Sequence, residues 1–169
     1  MSGSAEAIAR PPYLAFLPRF LFETDRVKAR YIGKAWLVAL LPSIALSLLA
    51  GQAAPGAAQP DISVATPLLL FLLVLGGPFA ETLIMGGLLV GLDRLFGPGP
   101  AAIVSAILWG IAHSLLVPIW GLIIWWPFLI LSIAFLTWRP RGLWVAIAMA
   151  TAIHGLQNSV AAVGLLMAG

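Results

Sequence analysis

No cysteine occurs in the 169 residues, so neither a disulfide framework nor a thiol nucleophile is available. Charge is nearly as scarce. Nine Lys and Arg and six Asp and Glu together make 9% of the chain, and from Gly142 onward there is none of either sign. A soluble domain of this size needs more charge on its surface. With 62% apolar residues and a mean hydropathy of +1.05, the chain carries more apolar area than its own interior can hide. The composition defines an integral membrane protein whose first partner is the lipid bilayer. The pI near 10 then reports how basic residues are distributed across a membrane, and no nucleic-acid partner is expected.

The basic residues are placed unevenly. Arg10, Arg19, Arg26, Lys28, Arg30 and Lys34 precede the first long apolar run, while Arg94, Arg139 and Arg141 lie in short breaks. The start of the chain does not read as a cleaved signal, because Arg19 interrupts the apolar stretch from Tyr13 to Phe22 and more charge follows. That stretch also holds Pro18 and is too short and too charged to span. Residues 1–34 are therefore expected as a basic cytoplasmic segment with a helix lying in the membrane interface, a solvated basic tail being the plainer alternative.

A spanning helix needs about 20 mostly apolar residues, and five runs supply them: 35–52, 65–92, 100–117, 119–138 and 143–167. The fold expected is an all-α polytopic bundle of about five transmembrane helices, forming one transmembrane domain over 35–169. No internal repeat is visible. The Pro/Gly/Ala-rich break Gly51 to Asp61 reads as an exposed loop. Five spans force the breaks to alternate sides. With the N-terminus in the cytoplasm, every Lys and Arg falls on that side and the C-terminus on the other, as in a bacterial inner membrane. Trp36, Trp138 and Trp144 then mark the cytoplasmic boundary and Trp120 the opposite one, whereas Trp125 and Trp126 lie deeper and pack against neighbouring helices.

Four polar residues stand out within the spans. Glu81 is the one acid inside any of them, His113 and His154 are the chain's two histidines, and Asn158 follows His154 by one helical turn. Such groups are expensive in lipid and must face protein or water. Counted from the cytoplasmic end of each helix at about 1.5 Å per residue, Glu81, His113 and His154 all lie roughly 16 to 20 Å deep. His154 and Asn158, four apart, share one helix face, with Gln157 expected on another. Interhelical polar contacts worth about 0.6 kcal/mol each explain any of these residues singly. Three helices converging at one depth point to a shared cavity.

In a low-dielectric pocket, a carboxylate can take a proton from water while an imidazole orients it. Histidine and asparagine donors can hold the oxyanion formed when water attacks an amide. The set suits peptide-bond hydrolysis, and no Ser/His/Asp triad competes with it. Two histidines and a carboxylate are also ligands that zinc uses. The His-Glu-x-x-His pattern is absent, however, and no acidic residue neighbours either histidine in sequence, so the metal-free reading is preferred.

At this point the residues resemble the CAAX protease and bacteriocin-processing (CPBP or Abi) family of intramembrane endopeptidases. "PFAETLIMGGLL", residues 78–89, is similar to its first motif, a Glu-Glu pair followed by three residues, an arginine and a glycine. "WGIAH", 109–113, resembles its aromatic-x-x-x-His motif, and "HGLQN", 154–158, its His-x-x-x-Asn motif. The resemblance covers about residues 65–165, with one further span between the second and third motifs. It implies that Glu81 activates water with His113 and that His154 and Asn158 stabilise the oxyanion. The substrate implied is a membrane-associated peptide or protein, which in eukaryotic members carries a prenylated C-terminus. Two positions depart from the pattern: Thr82 stands where the second glutamate is found, and Gly86 where the arginine is.

Three functions are therefore weighed. The first is an intramembrane glutamate-dependent protease with Glu81, His113, His154 and Asn158 as catalytic residues. The second is a non-catalytic scaffold, assembly factor or subunit of a larger membrane complex, which the departures at Thr82 and Gly86 would suit. The third, a proton or solute transporter, lacks the paired repeats such proteins use.

Overall fold

A computed structural model of the chain describes residues 5–6, 8–53, 55 and 66–168. The described helices are α1 (Lys28–Ala53), α2 (Pro67–Phe71), α3 (Gly77–Phe96), α4 (Pro98–Leu116), α5 (Gly121–Trp138) and α6 (Leu143–Ala168). A π-helical turn over Leu72–Gly76 joins α2 to α3, so these form one rod, Pro67–Phe96. Among the described residues, five rods are long and apolar enough to cross a bilayer. The chain is thus an all-α polytopic bundle. The break from Gly51 to Asp61 lies almost wholly outside the described residues.

Backbone chemistry fixes the corners. Gly97 ends α3 with φ +77 and Gly142 precedes α6 with φ +128, a region where a side chain is strained. Pro98 follows at the first position of α4, where its missing N–H would have no helical partner in any case. These turns return α4 and α6 tightly beside the helices before them.

The centre of the bundle is α5, buried over its whole second half from Pro127 to Trp138. It is apolar all round, as a helix with neighbours on every side must be. Against it α4 packs closely at Gly110 and Gly121: a Cβ on Gly121 would strike the Gly110 carbonyl and the Ser114 hydroxyl. A second tie joins α5 to α1. Pro42 lies inside α1 and has no N–H to give the Val38 carbonyl four residues earlier. Trp126 Nε1 of α5 donates to that carbonyl instead, at 2.9 Å.

The N-terminal segment differs from the helix expected for it. It forms two 3-10 turns, Pro12–Leu14 and Arg19–Phe22, and a two-residue antiparallel ladder between β1 (Ala5–Glu6) and β2 (Glu23–Thr24). Pro11, Pro12 and Pro18 interrupt the backbone too often for one helix. Nor is it a solvated tail. Leu14, Leu17, Leu21 and Phe22 are buried in the core, and the Leu21 carbonyl accepts from Tyr31 Oη (2.9 Å) and Thr137 Oγ1 (2.8 Å). The segment covers the end of the bundle where α1 and α6 begin and α5 finishes. One expected boundary marker changes role as a result. Trp138 is 3% exposed, edge-on to Tyr31 at 5.3 Å, and serves as core, whereas Trp144 is 69% exposed.

Candidate active site

Glu81 sits one turn into α3, behind the π-helical turn, and half-buried. Its Oε2 lies 3.9 Å from Nε2 of His154 on α6. The approach depends on Gly155, next to His154. A Cβ there would come within 2.6 Å of the Val74 carbonyl in the π-helical turn, so a glycine lets α6 lie directly against this rod. Asn158, one turn beyond His154, donates from Nδ2 to the Leu73 carbonyl at 3.0 Å. The irregular turn and α6 are thus joined at two points within the turn of helix that follows His154.

His113 comes from α4. Its Nδ1 lies 2.9 Å from the Trp109 carbonyl, and since a carbonyl only accepts, that nitrogen carries the proton. In the neutral imidazole this tautomer leaves the lone pair on Nε2. The ring lies among aromatic groups, 5.6 Å from Phe128 and 6.1 Å from Trp120 between centroids. Phe128 is also stacked on Trp109 at 4.5 Å and contacts the His154 ring at 5.3 Å. One buried phenyl ring thus touches both histidines. Its position has no signal in the sequence, because α5 is apolar apart from Ser132 and Thr137 and nothing sets Phe128 apart from its neighbours.

Beside His154 is a cavity of about 170 Å³ between α1, α5 and α6, bordered by Ser43, Phe128, Gln157 and Asn158. Gln157 therefore faces the same cavity as His154 and Asn158, not another side of the helix. The wall follows positions 154, 157, 158 and 161, one continuous helical stripe. His154 is 5% exposed, and its Nδ1 has no hydrogen-bond partner. The imidazole accordingly has Glu81 on one edge and an unpaired nitrogen on the other.

The two departures from the family pattern fall on one buried face. Thr82 is fully buried, and a Cβ on Gly86 would meet the Phe135 ring at 2.8 Å. Met85 and Leu89 are buried on the same helix, and the Met85 sulfur accepts from Ser132 of α5. An arginine at 86 would have to displace the Phe135 ring. Among the described residues, no three His, Asp or Glu side chains converge as a metal ligand set.

A family model described as type II CAAX prenyl endopeptidase Rce1-like matches residues 63–160, a stretch holding Glu81, His113, His154 and Asn158. It spans more than half of the chain, and the protein belongs to this family. No curated protein and no solved structure matches it.

Proposed function

We propose that the protein is an intramembrane endopeptidase that hydrolyses a peptide bond in a membrane-associated peptide or protein. The observation that carries this reading is the meeting of Glu81 and His154, on different helices, at 3.9 Å inside the bundle. Glu81 takes a proton from water, assisted by the lone pair on His113 Nε2, and the hydroxide adds to the scissile carbonyl carbon. The oxyanion is held by His154 and by the Asn158 N–H that Leu73 leaves unused. Collapse breaks the C–N bond as the proton passes from Glu81 to the departing amine. Hydrogen bonds in such sites commonly tighten only when substrate is bound, so a 3.9 Å separation is compatible with this role.

New peptide termini in membranes carrying the unaltered protein or Glu81→Gln at equal abundance test the proposal. The substitution is expected to lower cleavage by at least about 100-fold, the lower end of general-base contributions, with insertion unchanged. Cleavage retained in Glu81→Gln would refute the mechanism. A non-catalytic scaffold is the second reading, favoured by the burial of Thr82 and by the packing of Gly86 against Phe135 of α5. It predicts identical termini in both samples and a partner that co-purifies in fixed ratio.

A further inference from the structure

We propose that a basic pocket, where the N-terminal segment meets the turn between α5 and α6, binds the phosphate of an anionic phospholipid headgroup. The pocket holds about 300 Å³. Arg26 and Lys28 line it from one wall, and Arg141 and Val145 from the other. Among the described lining residues the one carboxylate, Asp25, is already occupied, bound by Arg30 at 2.7 and 2.8 Å. Arg26, Lys28 and Arg141 have no carboxylate partner among the described residues.

The other cations at this end are mostly satisfied. Arg19 pairs with Glu23, Arg139 with Asp93, Arg10 donates to the Leu14 and Ala15 carbonyls, and Lys34 lies over the Phe20 ring. Arg26, Lys28 and Arg141 thus bring three positive charges to one concavity without a carboxylate of their own among the described residues. Three like charges there repel, and an anion with several acceptor oxygens would neutralise them and take up their N–H donors. Arg141 is already held toward the N-terminal wall by a bond from Nη2 to Thr24 Oγ1 at 3.2 Å.

The location favours a lipid over a free anion. The pocket lies at the helix ends, where α1 and α6 begin, with Val145 and the Trp138 ring as its apolar lining, at the level where phosphates border hydrocarbon. Leu143 and His154 are eleven residues apart on α6, about 16 Å, so the pocket is separate from the candidate active site. A bound headgroup would join its two walls, fastening the N-terminal segment to the turn between α5 and α6.

The test uses the full chain, purified in detergent and given phosphatidylglycerol, phosphatidylcholine or soluble glycerol 3-phosphate. Bound lipid is counted by native mass spectrometry and thermal unfolding is followed in parallel. Phosphatidylglycerol is expected to be retained and to raise the unfolding temperature, with phosphatidylcholine doing neither. Lys28→Gln and Arg141→Gln should each weaken retention about five-fold, the equivalent of about 1 kcal/mol per cation near a charged surface, while Arg94→Gln should not. Lys28 is exposed, so its variant stays readable even if Arg141→Gln fails to fold. Equal retention of both lipids, or unchanged retention in Lys28→Gln, would overturn the site. Glycerol 3-phosphate displacing the lipid at equal concentration would overturn the lipid as its source.

Discussion

The bond from Trp126 to Val38 makes a sharp prediction, because the reason for it is a single missing hydrogen. Pro42 leaves the Val38 carbonyl without its helical donor, and Trp126 Nε1 supplies one from α5 at 2.9 Å. Replacing Trp126 by Phe removes the donor and leaves a carbonyl inside the bundle unsatisfied. Hydrogen bonds between membrane helices average about 0.6 kcal/mol and reach about 1.7, while a stranded buried acceptor costs about 1 to 3. We expect a loss of about 1 to 1.5 kcal/mol in Trp126→Phe, at the upper part of that membrane range. In a Pro42→Ala background the new N–H at 42 bonds Val38 within α1. Trp126→Phe should then destabilise by only a few tenths of a kcal/mol, giving a coupling of about 1 kcal/mol between residues on different helices. Reversible unfolding in mixed micelles, run on all four proteins of the cycle, measures it. Effects that add to within about 0.3 kcal/mol would show that the indole is not substituting for the proline's absent donor. The result also bears on the site, since Ser43, next to Pro42, borders the cavity beside His154.

Gly155→Ala should push α6 from the π-helical turn, because its Cβ would lie 2.6 Å from the Val74 carbonyl. A loss of about 1 to 3 kcal/mol in unfolding is expected, together with lower cleavage activity; full activity with normal stability would refute the close approach. Installing the family's charged pair as Thr82→Glu with Gly86→Arg should destabilise the bundle by at least about 3 kcal/mol and add no activity, since Thr82 is fully buried and Gly86 lies against the Phe135 ring. The Asp25 carboxyl is held down to about 2 from 3.8, first by the Arg30 side chain and then by the Val27 N–H. Because it stays ionised in the folded chain, its contribution is complete above about pH 4 and fades as pH falls toward 2. The stability difference between the unaltered protein and Asp25→Asn, measured by thermal unfolding, should therefore shrink over that interval.

The spans could be read from composition because hydrocarbon thickness sets their length and lipid forbids stray charge. For the same reason Glu81 and His154 were visible as polar groups with nowhere to go but inward. What stayed hidden depends on contacts between distant segments. Nothing in the run from Tyr13 to Phe22 tells that Leu14, Leu17 and Leu21 fold over the bundle end, so Trp138 reads as a boundary residue when it is core. Phe128, the ring between the two histidines, is one apolar residue among many in a helix without a polar side. Spacing alone puts Gln157 on another face than His154 and Asn158, because it gives direction on a helix but not the width of the cavity the helix borders. The π-helical turn at Leu72–Gly76 has no composition of its own. It becomes visible only through the Leu73 and Val74 carbonyls that meet α6.

Helix α6 follows the other four rods in the chain and is the least apolar of the five, since it carries His154, Gln157 and Asn158. During synthesis its predecessors are in place first, with Glu81 and His113 still apart from their third helix. The Leu73 and Val74 carbonyls, the Phe128 ring and the Glu81 carboxylate are the partners that these polar groups meet on arrival. Insertion of this rod and assembly of the candidate site are therefore one event, and under the proposed function an intermediate that lacks α6 has no His154 or Asn158 with which to complete that site.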